Sequence, residues 1–478
     1  MTPIDMPDPG SARSFWLEEA LSEDPGEPCP PLEANVVADV CIVGGGFAGL
    51  WTAVRLGERE PGLRIALLEQ DIVGGGASGR NGGFFSSSWW DLPALTGLYG
   101  EREGLRYALT LADSVAEARD FCASNGIDCW FHLDGAMGVR AGAWQEGISR
   151  RSAIDHCARL GYGDRMVALS AAETRARADS PTFEGGAFIR DAAVVQPARL
   201  ARGLRRFVLD QGVRIFERTR VTGVDRSRPA VVRTDQGAVR SDQVVLTHGA
   251  WAAGWRDFAR SFSVIVDYVV VTEPIPDKLE EIGWTSQMGI ADGREWLYYL
   301  RPTDDGRIAI GGGTGGVVFG GRASGRAVTH DRRVAEVAAR GLLRMFPQLE
   351  GTRFTHAWGG PIDQTPAFVP FYRTLEPGTI HAGLGYSGHG LSQTYVGGKI
   401  LASAVLGVED EWTTLAVNRP ETMKAPPEPF RWAAVKTIAG ALERGDAREE
   451  AGKRRGVVNE LLGLGPIGLR ERYVARRQ

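Results

Sequence analysis

The 478-residue chain holds only five cysteines: Cys29, Cys41, Cys122, Cys129 and Cys157. None forms a CxxC pair or shows zinc-ligand spacing, so they read as reduced thiols and exclude a disulfide framework. No apolar run approaches a membrane span, and the opening MTPIDMPDPG has acids and prolines where a secretory leader needs basic residues followed by an apolar stretch. The expected setting is cytoplasmic, with no membrane partner. Excess charge is lacking as well: a formal net charge of −4 gives nucleic acid no electrostatic reason to bind. No GxSxG elbow and no metal-ligand cluster is found, and the glycine run from Gly311 to Gly316 lacks the lysine of a phosphate loop. What is present is a chain too long for one hydrophobic core and 63 glycines gathered at particular turns.

The first gathering follows the short apolar run Ala38 to Val43, which reads as a buried parallel strand, and opens a helical stretch from Ala48 to about Glu60. Gly44, Gly46 and Gly49 fit GxGxxG in the strand-to-helix context that gives the pattern its meaning. Gly44 permits the tight turn, Gly46 lets backbone approach a pyrophosphate, and Gly49 lets the helix close on the strand. Phe47 and Ala48 supply the first helical amides, where the dipole favours phosphate. A second strand, Arg64 to Leu68, ends at Glu69 and Gln70, with Glu69 placed to accept a ribose diol. This unit alone fits FAD and NAD equally; a carboxylate at that place disfavours NADP.

A second glycine loop comes straight afterwards, Gly74 to Gly83, carrying Gly76, Ala77, Ser78, Arg80, Asn81, Gly82 and Gly83. NAD has no use for it, whereas a flavin must be threaded past backbone toward a second domain. Here the sequence resembles the D-amino-acid-oxidase-like family of FAD oxidoreductases, especially the gamma-glutamylputrescine oxidase branch. Further motifs carry the resemblance, which runs from about residue 13 to 407: Gln196 to Leu200, Thr247 to Trp251, Trp358-Gly359-Gly360 with Thr365 and Pro370, and Gly385 to Leu391 leading into a late helix. The resemblance implies FAD contacts at Val221, Gly249, Trp251, Gly388, His389, Gly390 and Leu391. Glycines at the last motif let backbone meet the flavin edge, and the helix dipole there would stabilise its reduced charge.

The implied fold is α/β (α+β overall): a Rossmann-like FAD-binding domain interleaved with a mostly antiparallel sheet. The expected division is an N-terminal arm at 1–35, FAD-binding segments at 36–90, 188–260 and 347–410, substrate-binding segments at 91–187 and 261–346, and a helical extension at 411–478.

Three departures from relatives shape the expected chemistry. Covalent flavin attachment in some branches uses a His after the ribose acid or a late Cys; here no His precedes His132 and no Cys follows Cys157, so non-covalent FAD is expected. Amino-acid oxidases of the family hold the substrate carboxylate with an Arg in a GLRP-like stretch, which here reads Gly359-Gly360-Pro361-Ile362. The lysine with which sarcosine oxidases assist oxygen is missing from Arg307 to Gly311, leaving O2 and another electron acceptor both open.

The expected substrate is a small amine oxidised at the carbon beside nitrogen. Arg294 and Arg301 stand as candidates for an anionic tail, or as solvated strand charges. Arg80 is a candidate to stabilise the reduced flavin, and His389 either acts directly or fixes its turn. Trp89, Trp90, Tyr298, Tyr299 and Tyr386 are candidate pocket walls, or ordinary core. The catalytic candidates are thus His389, Arg80, Tyr298 and Arg301. A flavin monooxygenase or halogenase, an amino-acid deaminase of the glycine-oxidase type, and a flavin-carrying regulatory protein are the competing readings.

Overall fold

The computed structural model describes residues 4–9, 13–141, 148–419, 424–453 and 456. Most of the expected tail beyond Lys453 lies outside the described residues. Among those described, two large sheets organise the chain. In the first, of eight strands, five run parallel in the order Ile380–Leu384, Ala238–Leu246, Val36–Val43, Ile65–Leu68 and Arg214–Phe216. The strand Ile65–Leu68 is buried throughout, as a parallel strand covered on both faces must be. Helices Phe47–Arg59 and Gly390–Leu406 pack on each other beside it.

The second sheet has nine strands and is antiparallel except where Gly289–Asp292 pairs with Ala136–Val139. Its centre is Ser263–Thr272, flanked by Ile308–Gly312 and by Phe354–Gln364. Two strands pair across the expected boundaries. Phe354–Gln364, expected with the FAD segments, pairs with Ser263–Thr272 across its whole length. Gly186–Ile189, which straddles the expected boundary at 188, pairs as a unit with Ala136–Val139 in the same sheet. A strand joins the sheet whose edge can bond it, whatever motif it carries.

The N-terminal arm packs Phe15, Trp16 and Leu17 onto the body from a short helix. Helix Phe15–Glu23 starts at Ser14, whose hydroxyl accepts from Leu17 N–H at 3.1 Å. Trp16 is fully buried, edge-on to Trp358 at 6.1 Å, so the helix is wedged between the nine-stranded sheet and the glycine loops.

At the other end, helix Phe430–Glu450 is clasped to the nine-stranded sheet. Asp446, buried, accepts from Trp296 N–H at 3.1 Å and stands 3.8 Å from the Arg294 guanidinium, while Glu450 bridges Arg294 and Arg344.

Candidate active site

The first strand delivers the chain to Gly44, whose φ of +109° belongs to the region that favours glycine. A Cβ on Gly49 would stand 2.1 Å from the Gly44 carbonyl oxygen, so the helix closes on the strand only because that atom is missing. Thr247 donates its hydroxyl to Val43 O at 3.0 Å and thereby draws the Thr247 to Trp251 turn against the first glycine. Glu69 accepts from Gly45 N–H at 2.8 Å and from Asp71 N–H at 2.9 Å. Desolvation nevertheless pushes its carboxyl up to about 7. Gln70 is exposed beside it, and Val221 lies two residues past Thr219, whose N–H donates to Glu69 O at 2.8 Å.

The second glycine loop folds back over the first. Ser78 accepts from Phe47 N–H at 2.8 Å, at the start of the dinucleotide helix. Gly76 faces Trp251, whose ring would lie 3.7 Å from a Cβ there. Asn81 holds the loop's shape, donating to Ser78 O at 2.9 Å and accepting from Gly83 N–H at 2.8 Å. Arg80 turns inward: its Nε donates to Gly75 O at 2.9 Å and its Nη1 to Gly359 O at 3.2 Å, while Trp358 Nε1 donates to Arg80 O at 2.8 Å. The loop of one sheet is thus stitched to the strand of the other that carries Trp358-Gly359-Gly360.

The late motif is held by an acid that sequence reasoning missed. Asp363, on that same strand, accepts from Gly385 N–H at 2.6 Å, and burial pushes its carboxyl up to about 6. Gly388 and His389 stay exposed, and helix Gly390–Leu406 begins behind them without a side-chain cap. His389 Nδ1 lies 3.1 Å from Ser387 O, which is the turn-fixing arrangement.

The wall opposite the second glycine loop comes from the nine-stranded sheet, where alternation along each strand decides what faces it. Tyr298, expected at the site, points away: its ring lies between the guanidinium groups of Arg294 and Arg344 at 4.7 and 5.4 Å, and its hydroxyl donates to Val337 O at 3.4 Å. Tyr299 faces the loop, and a Cβ on Gly82 would lie 2.5 Å from its ring. Its hydroxyl donates to Asp267 at 2.5 Å, and Asp267 stands directly across the strand pair from Gly360.

The remaining expectations sort by the same geometry. Arg294 is occupied by Asp446 and Glu450 of the C-terminal helix, so it is neither a solvated charge nor an anion receptor. Arg301 is wholly buried; its Nε donates to Pro302 O at 3.0 Å, its Nη1 bonds Val195 O, and its guanidinium lies over Trp16 at 5.3 Å. Burial pulls its pKa down to about 10. It braces the turn at Gly83 from behind. Trp89 is core, bonded to Asp191 at 2.9 Å and stacked on Tyr162, and Tyr386 is packed among core side chains. Trp90 covers Gly138.

These residues suit FAD. Two glycine loops leave backbone amides and a helix start for phosphates, the acid-tipped strand stands at ribose distance in sequence, and the late helix presents its uncapped positive end. Glycine at 46 matters to that cradle, because a Cβ there would lie 2.9 Å from Ser78 Oγ.

The arrangement defines a dinucleotide-binding oxidoreductase of two interleaved sheets. Residues 39–404 match the family described as "DAO: FAD dependent oxidoreductase", and the chain belongs to that family. It is 28% identical over 404 residues to gamma-glutamylputrescine oxidoreductase of Escherichia coli, covering 83% of this chain and 90% of that protein. It is 27% identical over 372 residues to glycine oxidase of Pseudomonas putida, covering 76% of this chain and 91% of the relative. Among solved structures it resembles glycine oxidase from Geobacillus kaustophilus, with a TM-score of 0.67 at 20% identity over 81% of this chain and 100% of that one. The protein is therefore an FAD-dependent enzyme. No helix among the described residues is long and apolar enough to cross a membrane.

Proposed function

We propose that the protein binds FAD non-covalently and oxidises the carbon–nitrogen bond of a small amine, primary or N-substituted. The observation that carries this reading is the pairing of an intact two-loop flavin cradle with Gly360 at the place where amino-acid oxidases of the family keep their carboxylate-binding arginine. Neither arginine considered as a substitute is free to serve: Arg294 is tied to two acids, and Arg301 lies behind the loop. An α-amino acid held by its carboxylate is the weaker candidate on that ground.

FAD, when bound, supplies the two-electron acceptor for hydride from the carbon beside nitrogen. The chain's own contribution is placement and desolvation. Tyr299 and Phe84, edge to face at 5.7 Å, form an aromatic surface against Gly82, and water excluded there favours the neutral amine that hydride loss requires. Arg80, kept near the flavin loop by backbone carbonyls, offers positive charge to the reduced cofactor. The imine leaves and is hydrolysed by water to a carbonyl, releasing ammonia from a primary amine or the remaining amine from an N-substituted one.

Anaerobic stopped-flow mixing with a panel of amines tests the reading. Bleaching of the flavin by at least one small amine, and none by NADPH, is the expected result. Reduction by NADPH alone would establish the monooxygenase alternative instead.

A further inference from the structure

Asp267 is a partly exposed carboxylate on the face of the nine-stranded sheet that Tyr299 shares. It accepts from Tyr268 N–H at 2.8 Å, Gly312 N–H at 3.2 Å and Tyr299 Oη at 2.5 Å. Among the described residues no Lys, Arg or His lies within ion-pair distance of it. Its neighbours in strand order, Val266 and Tyr268, are buried on the far face, whereas Asp267, Tyr299, Gly360 and Arg80 are all partly exposed and stand together. An acid in a strand otherwise composed of Ser, Val, Ile, Tyr and Thr is costly to keep unless something compensates its charge. Desolvation raises its carboxyl to about 6, and hydrogen bonds from Tyr299, Tyr268 and Gly312 are what oppose that rise.

The position gives that carboxylate a meaning. Asp267 and Gly360 face each other across the antiparallel pair, side chains to the same side. Where relatives that take amino acids carry a cation for the substrate's carboxylate, this chain carries none on one strand and an anion on the other. From this juxtaposition we infer that Asp267, oriented by Tyr299, anchors a second, non-reacting cationic nitrogen of the substrate, which is then a diamine or a guanidino-amine. The inference rests on the amine-oxidation reading and names the substrate class within it. Asp267 touches the substrate's tail; Tyr299 is the positioning residue that holds the carboxylate.

Two measurements test it. The first titrates the FAD-loaded enzyme with n-butylguanidinium, a cation with no oxidisable amine, following perturbation of the flavin absorbance. Asp267→Asn should weaken its binding by about 10–100-fold, the range of a lost hydrogen bond to charge. FAD content and thermal midpoint are read in parallel.

The second compares anaerobic flavin reduction by 1,4-diaminobutane, 1-aminobutane and 4-aminobutanoate. The native chain should be half-saturated by the diamine at a concentration at least tenfold below either of the others, and Asp267→Asn should erase that preference. Gly360→Arg is the second variant, because a Cβ at 360 lies no closer than 3.4 Å to Arg80 Cβ and the new guanidinium would meet Asp267. It should abolish butylguanidinium binding while the FAD content stays. Equal half-saturation by all three amines in the native chain, no spectral response to butylguanidinium, or a diamine preference that survives both substitutions would overturn the assignment. If butylguanidinium binds the native chain and not Asp267→Asn while no amine bleaches the flavin, the anchor stands and amine oxidation falls.

Discussion

Two glycines in one helix give opposite expectations for the same substitution. At Gly49 a Cβ would lie 2.1 Å from Gly44 O, 3.0 Å from Thr247 Oγ1 and 3.1 Å from Ile42 Cγ2. Carbon and oxygen approach one another to about 3.3 Å at closest, so the helix start must retreat by about 1 Å. Overpacking of this kind costs about 1–3 kcal/mol, and the displaced segment is the one that offers its amides to the pyrophosphate. At a tenfold change per 1.4 kcal/mol, Gly49→Ala should weaken FAD binding by about 10–100-fold. At Gly57, eight residues on in helix Phe47–Arg59, nothing lies within 4 Å of an added Cβ. Gly57→Ala should therefore stabilise the chain by roughly 0.5–1 kcal/mol through helix propensity, with FAD binding unchanged. Visible-to-ultraviolet absorbance of the purified protein, FAD titration of the stripped protein and thermal unfolding read all of these. A Gly49→Ala variant that retains FAD as tightly as the native chain would refute the close-approach argument, as would a Gly57→Ala variant that loses it.

Three further outcomes are expected. Trp16→Ala removes a fully buried indole from under Arg301 and should cost about 3–5 kcal/mol, with faster FAD loss on dilution; unchanged unfolding would separate the arm from the loop. Asp446→Ala takes a buried counter-charge from the Arg294 guanidinium and the acceptor from the Trp296 N–H and should cost about 2–4 kcal/mol, seen as earlier proteolysis within 424–453 before the body unfolds. His381 is held neutral, with burial pulling its pKa down to about 4. Because the folded value lies below the unfolded one, this histidine's share of stability is whole above about pH 6.5 and is lost as pH falls toward 4, up to about 3 kcal/mol in all. His381→Gln should flatten the fall in thermal midpoint over that window.

The flavin half of this architecture was legible in the sequence because each of its demands is local. Strand, glycine turn, helix, strand and acid follow one another within Val36 to Glu69, and every step constrains residues a few positions apart. The second loop and the late motif were legible for the same reason. The partners of those motifs were not. That Phe354–Gln364 leaves one sheet to pair in the other, that Asp363 pins Gly385, and that Asp446 and Glu450 meet Arg294 about 150 residues away are long-range facts with no short-range signature.

Tyr298 and Tyr299 show where the limit lies. Adjacent residues on a strand face opposite ways, so the pair announces that one aromatic looks into the site without saying which. The choice is settled by what packs beneath: Tyr298 needs the helix Arg332–Met345 to receive its hydroxyl, and Tyr299 needs glycine at 82 and at 311 to make room for its ring. A signal for the member that faces the glycine loop was nonetheless present. Asp267 interrupts the run from Ser263 to Thr272, and a charge so placed calls for a donor on the same face of the neighbouring strands. Tyr299 answers with a hydroxyl, which orients the carboxylate. That face of the sheet is accordingly easier to recognise from the acid that its strand tolerates than from the aromatics around it.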